Sequence, residues 1–180
     1  MSYYIMVVDH HQRFRNGKDF KGWYNDVTQW NDSADYNDYH HSSESLQKWF
    51  LEMKDVVKPL NGEFAPSDEE LDTGLYPEAD YCIGRDFIYV AFALTDADKT
   101  TQIAFDVAKK NNLAFFDASG TEELYFPDGH HLNFSSIQPS AETKTGDSQI
   151  NKCNHISWTM IVAMLICLAL YFLFKWMKNR

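Results

Sequence analysis

Six of the seven histidines stand in adjacent pairs: His10-His11, His40-His41 and His130-His131. Imidazole beside carboxylate is the donor set of zinc and non-haem iron sites. Asp9 precedes the first pair and Asp38 stands two positions before the second. One histidine from each pair, meeting near Asp9 or Asp38, would hold a metal for hydrolysis. Three features oppose this. Adjacent side chains on an extended chain point to opposite sides. The H-E-x-x-H spacing and the H-x-E spacing with C-x-x-C do not occur. Each pair also flanks a segment that reads as loop, where exposed histidine is ordinary. Asp9, His10, His11, His40 and His41 are therefore the ligand set of an alternative reading, a metal-dependent hydrolase. The leading reading carries no cofactor.

Nucleophilic chemistry has less to build on. Cys82 falls in a predicted strand, where a small buried hydrophobe is the expected role. No G-x-S-x-G, P-loop or dinucleotide fingerprint occurs. The cysteines Cys82, Cys153 and Cys167 form no closely spaced framework, which suggests a reducing compartment. Glu52 sits on a predicted helix between Leu51 and Met53, where it either faces solvent or folds back toward Trp30 and Asp38; the solvated reading is preferred, since carboxylates are rarely buried unpaired.

Charge points towards binding. All 26 acidic residues lie before Ile156, against 13 of the 16 basic ones, so this part of the chain carries −13. Such a surface repels nucleic acid and anionic headgroups and suits a basic protein. Tyr24, Tyr36 and Tyr39 lie off the apolar stripe of Trp23, Trp30, Trp49 and Phe50, among acids. With Asp38 and the acidic run Asp68, Glu69 and Glu70 they form a candidate partner-docking surface.

The elements that would position these residues follow from periodicity. Tyr3 to Val8 predicts a buried strand. Asn16-Gly17 opens a helix with Phe20, Trp23, Val27 and Trp30 on one face. Leu46, Trp49, Phe50, Met53, Val56 and Val57 predict a second helix, closed by Pro59 and Asn61-Gly62. Residues 80–83 and 87–94 read as a hairpin across Gly84-Arg85-Asp86. Thr95 to Asn111 is a third helix, capped by acids and ending in Lys109-Lys110. Strands follow at 113–118 and 123–126. This order predicts an α+β, ferredoxin-like β-α-β-β-α-β sandwich with an extra helix in the first crossover. Right-handed crossovers would place the helices on one face of a four- or five-stranded mixed sheet.

Residues 156–174 contain 19 residues without a charge. As a helix they rise about 28 Å, close to the ~30 Å hydrocarbon core. Trp158, Tyr171 and Trp176 fall at the interfaces, and Lys175, Lys178 and Arg180 reach the headgroups. The expected organisation is a soluble domain over 1–134, a flexible linker over 135–155, a single transmembrane helix over 156–176 and a basic tail over 177–180. The basic cluster alone would put the tail in the cytosol. The N-terminus shows no signal peptide, so the expectation is a cytosolic domain on a tail anchor, with the charge rule dissenting.

Several motifs occur together: Phe20-x-x-Trp23-Tyr24, Thr28-x-Trp30, Tyr36-Asn37-Asp38, Leu46-x-x-Trp49-Phe50-x-Glu52-Met53, Pro59-x-Asn61-Gly62, Asp80-Tyr81-x-Ile83-Gly84, Ile88-Tyr89-x-Ala91-Phe92-Ala93 and Phe115-Phe116-Asp117. Over residues 1–126 the chain resembles an uncharacterised family of small bacterial proteins. The resemblance implies a bacterial source, and hence the inner membrane as the bilayer, but no activity. Members usually lack a membrane tail, so the tail is a departure. The expectation is a membrane-anchored, non-enzymatic protein-binding module of the immunity or antitoxin type, with a basic protein partner and no nucleic acid. The alternatives are the metal-dependent hydrolase and a structural or scaffolding membrane protein.

Overall fold

Strict alternation of large side chains gives the central strands two apolar faces, and both are covered. The computed structural model describes residues 1–31, 33–71 and 77–133. The elements are β1 (Ser2–Val8), α1 (Gly17–Val27), α2 (Glu44–Met53), β2 (Lys58–Pro59), the one-turn α3 (Asp68–Leu71), β3 (Glu78–Ile83), β4 (Phe87–Ala93), α4 (Ala97–Lys110), β5 (Ala114–Asp117), β6 (Glu123–Tyr125) and β7 (His131–Asn133). They form one seven-stranded sheet in the order β2-β3-β4-β1-β5-β6-β7. Among the described residues only the edge pair β2–β3 is parallel. Pro59, which lacks an amide donor, sits on that edge strand, where none is required.

One face carries Ile5, Val7, Tyr81, Ile83, Ile88, Val90, Phe92 and Phe115 and packs on α2 and α4. The helices meet closely: the Trp49 indole nitrogen donates to the Ala104 carbonyl at 3.0 Å. Small residues Ala104 and Ala108, both fully buried, let α4 approach. The other face carries Met6, Val8, Cys82, Phe87, Tyr89, Phe116 and Leu124 and packs on Phe20 of α1, on Phe14 and on Trp30. Two caps fix the helix starts. Asn16 accepts from the amides of Lys18 and Asp19, and Ser43 from that of Leu46.

These features correct the expected fold class. The class is α+β, but the ferredoxin-like β-α-β-β-α-β sandwich with helices on one face is replaced by a mixed seven-stranded sheet with helices on both faces. The physical reason lies in the connection over 9–77. It is no single crossover helix: α1 buries its stripe on one face, α2 on the other, and β2 then joins the edge. The β6–β7 hairpin widens the opposite edge. The expected transmembrane helix finds no counterpart here: among the described residues no helix is long and apolar enough to cross a membrane. The linker over 135–155, the membrane segment over 156–176 with Trp158, Tyr171, Lys175, Trp176, Lys178 and Arg180, and the tail lie outside the described residues.

Candidate functional site

The residues expected to dock a partner separate into two groups. Tyr24 points inward from α1. Its ring lies 5.3 Å from Phe116 and 6.5 Å from Tyr89, and burial pushes its phenol above the ordinary range. Tyr39 packs on Phe50 at 5.3 Å and Phe64 at 5.7 Å. Both rings are half-buried and pack against the core.

Tyr36 is half-buried as well, and it also lines two clefts. Its ring stands edge-on to Trp30 at 5.1 Å, and its carbonyl accepts from the Ile83 amide at 2.9 Å. Two clefts share it as a wall, together with Val27 and Phe87. One, of about 200 Å³, adds Trp23, His41, Arg85 and Asp86. The other, of about 230 Å³, adds Asp26 and Asn31. Asp86 is engaged by Arg13 at 3.1 Å, and the same guanidinium lies over the Trp23 ring at 4.7 Å.

The nearby acids mostly hold turns. Asp38 accepts from the His40 amide and from His40 Nδ1, both at 2.9 Å. These bonds hold its carboxyl below the usual range. In α3, Glu70 accepts from the Ser67 amide at 3.0 Å and lies 3.7 Å from Lys58; its carboxyl is lowered by the Ser67 bond first and by Lys58 second. Glu69 is exposed, and Asp68 opens the turn. Glu52 reaches neither Trp30 nor Asp38. It accepts from Lys110 at 2.9 Å and Asn111 at 3.2 Å, tying α2 to the end of α4.

The histidines do not assemble. His10 takes a left-handed conformation (φ 50°), with its amide donating to the Asp9 carboxylate at 2.6 Å. His11 is buried, edge-on to Phe126 at 5.6 Å. His41 Nε2 lies 3.1 Å from the Ile83 carbonyl. His130 pairs with Asp128 and stacks on Phe126. Among the described residues no group of three His, Cys, Asp or Glu side chains could hold a metal ion. Cys82 is buried and disulfide-bonded, so it presents no thiolate; nothing in the cysteine spacing signalled that bond.

The largest of these cavities was not anticipated. It is an open cleft of about 350 Å³ between α4 and the end of the sheet where β1, β5 and β6 meet. Asp98, Thr101, Gln102 and Phe105 recur at helical spacing along α4 and so line one wall. Tyr3, Phe115, Asp117 and Tyr125 line the other, brought together by strand register. Phe105 meets Phe115 at 5.5 Å and Tyr125 at 5.7 Å, both edge-on. Asp117, 7% exposed, accepts from Tyr3 Oη at 2.8 Å and from the amides of Gly120 and Thr121 at 2.9 and 3.0 Å. Burial, the Asp117 bond and the charges of Asp117 and Asp98 push the Tyr3 phenol far above its usual range, so it stays protonated. Tyr125 Oη donates to Glu123 at 2.6 Å, which raises its phenol too. Thr101 Oγ1 is buried and finds no hydrogen-bond partner. The described lining holds carboxylates, phenols and phenyl rings. It offers acceptor oxygens and aromatic rings, a combination that suits a cation.

No protein-family model, curated protein or solved structure matches the chain.

Proposed function

We propose that this chain is an acidic, non-enzymatic protein-binding module, held at the bacterial inner membrane through residues 156–176 and neutralising a basic effector in the manner of an immunity protein or antitoxin. The observation that carries the reading is the position of Tyr36, a half-buried aromatic shared by two adjoining clefts with Asp26 and Asp86 at their margins. Partly buried aromatics beside shallow clefts are the anchors on which protein interfaces concentrate their energy. The excess of 26 acidic over 13 basic residues before Ile156 supplies the attraction for a basic partner. The hydrolase alternative gains no ligand set from the described residues.

Affinity purification of the full-length chain from native membranes, with mass spectrometry, tests this. One stoichiometric basic partner is expected, with capture falling at least about tenfold in Tyr36→Ala, the scale of a lost anchor. The Tyr39→Ala variant is the control for general loosening, because Tyr39 packs inward. No partner above background, or one captured equally by Tyr36→Ala, would sink the reading.

A further inference from the structure

We propose that the cavity between α4 and the β1–β5–β6 end of the sheet is a receptor for an arginine side chain, presented by the basic partner at a place separate from the Tyr36 clefts. This rests on the reading of the chain as a binder of a basic protein and adds the chemistry of a second contact.

Size is the first argument. Ligand pockets run from about 300 to 1,000 Å³, and this cavity, at about 350 Å³, is at the small end. It admits one long side chain and not a folded element. Chemistry is the second. Tyr3, Phe105, Phe115 and Tyr125 supply four aromatic rings, and Asp98 and Asp117 supply two carboxylates. A planar guanidinium stacks on aromatic faces and donates in a fixed fork, which a compact ammonium cannot do as well. The acceptors are arranged for several donors at once. Gln102 adds an amide oxygen on the same wall as Asp98. Electrostatics is the third. The Tyr3 phenol feels both the Asp117 and the Asp98 charge, so negative potential converges on the cavity. Among the described residues no lysine or arginine lines it.

The roles divide. Asp117 is held by three donors and serves as a fixed negative wall. Asp98 is exposed in the first turn of α4 and is the carboxylate that a guanidinium can approach from solvent.

The test uses the full-length chain in detergent micelles with ring-labelled tyrosine, read by NMR. The probe is arginine blocked at both ends, N-acetyl-arginine N-methylamide; its uncharged counterpart is the same derivative of citrulline. Saturable shifts at Tyr3 and Tyr125 are expected with the arginine probe, with Tyr36 unmoved. The citrulline probe should bind at least about tenfold more weakly, the difference between charged and neutral donors. Asp98→Asn should weaken the arginine probe about fivefold or more, while Asp98→Glu keeps most of the binding. Tyrosine resonances elsewhere report that the variants remain folded. Still Tyr3 and Tyr125 signals, equal binding of citrulline, or an Asp98→Asn variant that binds as well as the parent would each overturn the proposal. Tighter binding of free arginine than of the blocked probe would assign the cavity to an amino acid and overturn the side-chain assignment.

The two readings fail separately. A basic partner lost by Tyr36→Ala but retained fully by Asp98→Asn overturns the arginine receptor alone. A basic partner that Tyr36→Ala captures as well as the parent does, but that Asp98→Asn loses, overturns the Tyr36 reading alone; no partner at all overturns both.

Discussion

Tyr3 Oη donates to the Asp117 carboxylate at 2.8 Å, joining residues 114 positions apart in the chain. The bond locks the start of β1 to the end of β5, beside the last residue pair of that ladder, Ile5 with Asp117. The carboxylate is buried, so the donors around it offset the cost of taking it from water. Tyr3→Phe removes one donor and leaves the amides of Gly120 and Thr121. The expected loss is about 1–2 kcal/mol. Asp117→Ala should lose more, because it orphans two amides and a phenol together. Urea unfolding followed by circular dichroism orders the two. A Tyr3→Phe variant as unstable as Asp117→Ala would show that the phenol, not the turn, organises this corner.

Two glycines predict opposite signs. A Cβ on Gly120 would lie 2.3 Å from both Asp117 Oδ2 and Tyr3 Oη. Gly120→Ala therefore forces the carboxylate and the phenol apart, at a cost of about 1–3 kcal/mol. A Cβ on Gly22, inside α1, meets nothing within 4 Å. Gly22→Ala should stabilise the protein by about 0.5–1 kcal/mol, because alanine loses less backbone freedom in a helix. Thermal melting of both variants checks the pair. A stabilised Gly120→Ala would mean that the Tyr3–Asp117 contact is looser than the geometry here.

What the sequence discloses here is local. The α2 stripe reads correctly because Leu46, Trp49, Phe50 and Met53 repeat at helical spacing and all are buried. The β3–β4 hairpin is legible because Gly84 faces the Phe87 ring at a tight turn, where any Cβ would come within 2.4 Å of it. The side of the sheet that α1 takes was not legible, since crossover handedness governs a single helix between strands and the 9–77 connection holds three. Tyr24 and Tyr39 read as off-stripe because a stripe drawn on one helix ignores the neighbours that the sheet and Phe64 supply. The arginine-receptor cavity was invisible for a related reason. Its walls come from Tyr3, from 98–105 and from 115–125, and only strand register brings them together.

Asp80 gives a pH-dependent prediction. It is 5% exposed; Oδ1 accepts from Asn61 at 3.2 Å and Oδ2 has no partner. Burial raises its folded pKa, partly offset by the Asn61 bond. The unfolded value is about 3.9. Below it both states are protonated and burial of the charge costs nothing. As pH rises through the window between the unfolded and the raised folded value, only the unfolded state ionises, so stability falls; above the folded value the full penalty persists. Asp80→Asn removes that penalty. The variant should melt higher than the parent at neutral pH, with the difference closing towards about pH 3.5. A constant difference across pH would show that Asp80 is ionised in both states at no cost.

His11 predicts the opposite slope. Its ring is 7% exposed against Phe126, and Nδ1 is buried without a partner. Burial lowers its pKa; Asp9 and Asp128 oppose that shift, while His130 and His10 add to it. The folded protein therefore keeps His11 neutral at a pH where the unfolded chain, with a value near 6.5, has begun to take a proton. The stabilising effect of the neutral ring is whole above about pH 7.5 and is lost as pH falls through the unfolded value towards the lowered folded one. His11→Gln keeps a polar side chain that does not titrate. Its urea midpoint should fall less steeply than the parent's between about pH 7.5 and about pH 5, whatever the offset at neutral pH. Parallel curves for the two proteins would place the acid sensitivity on other groups and show that His11 protonates as readily folded as unfolded.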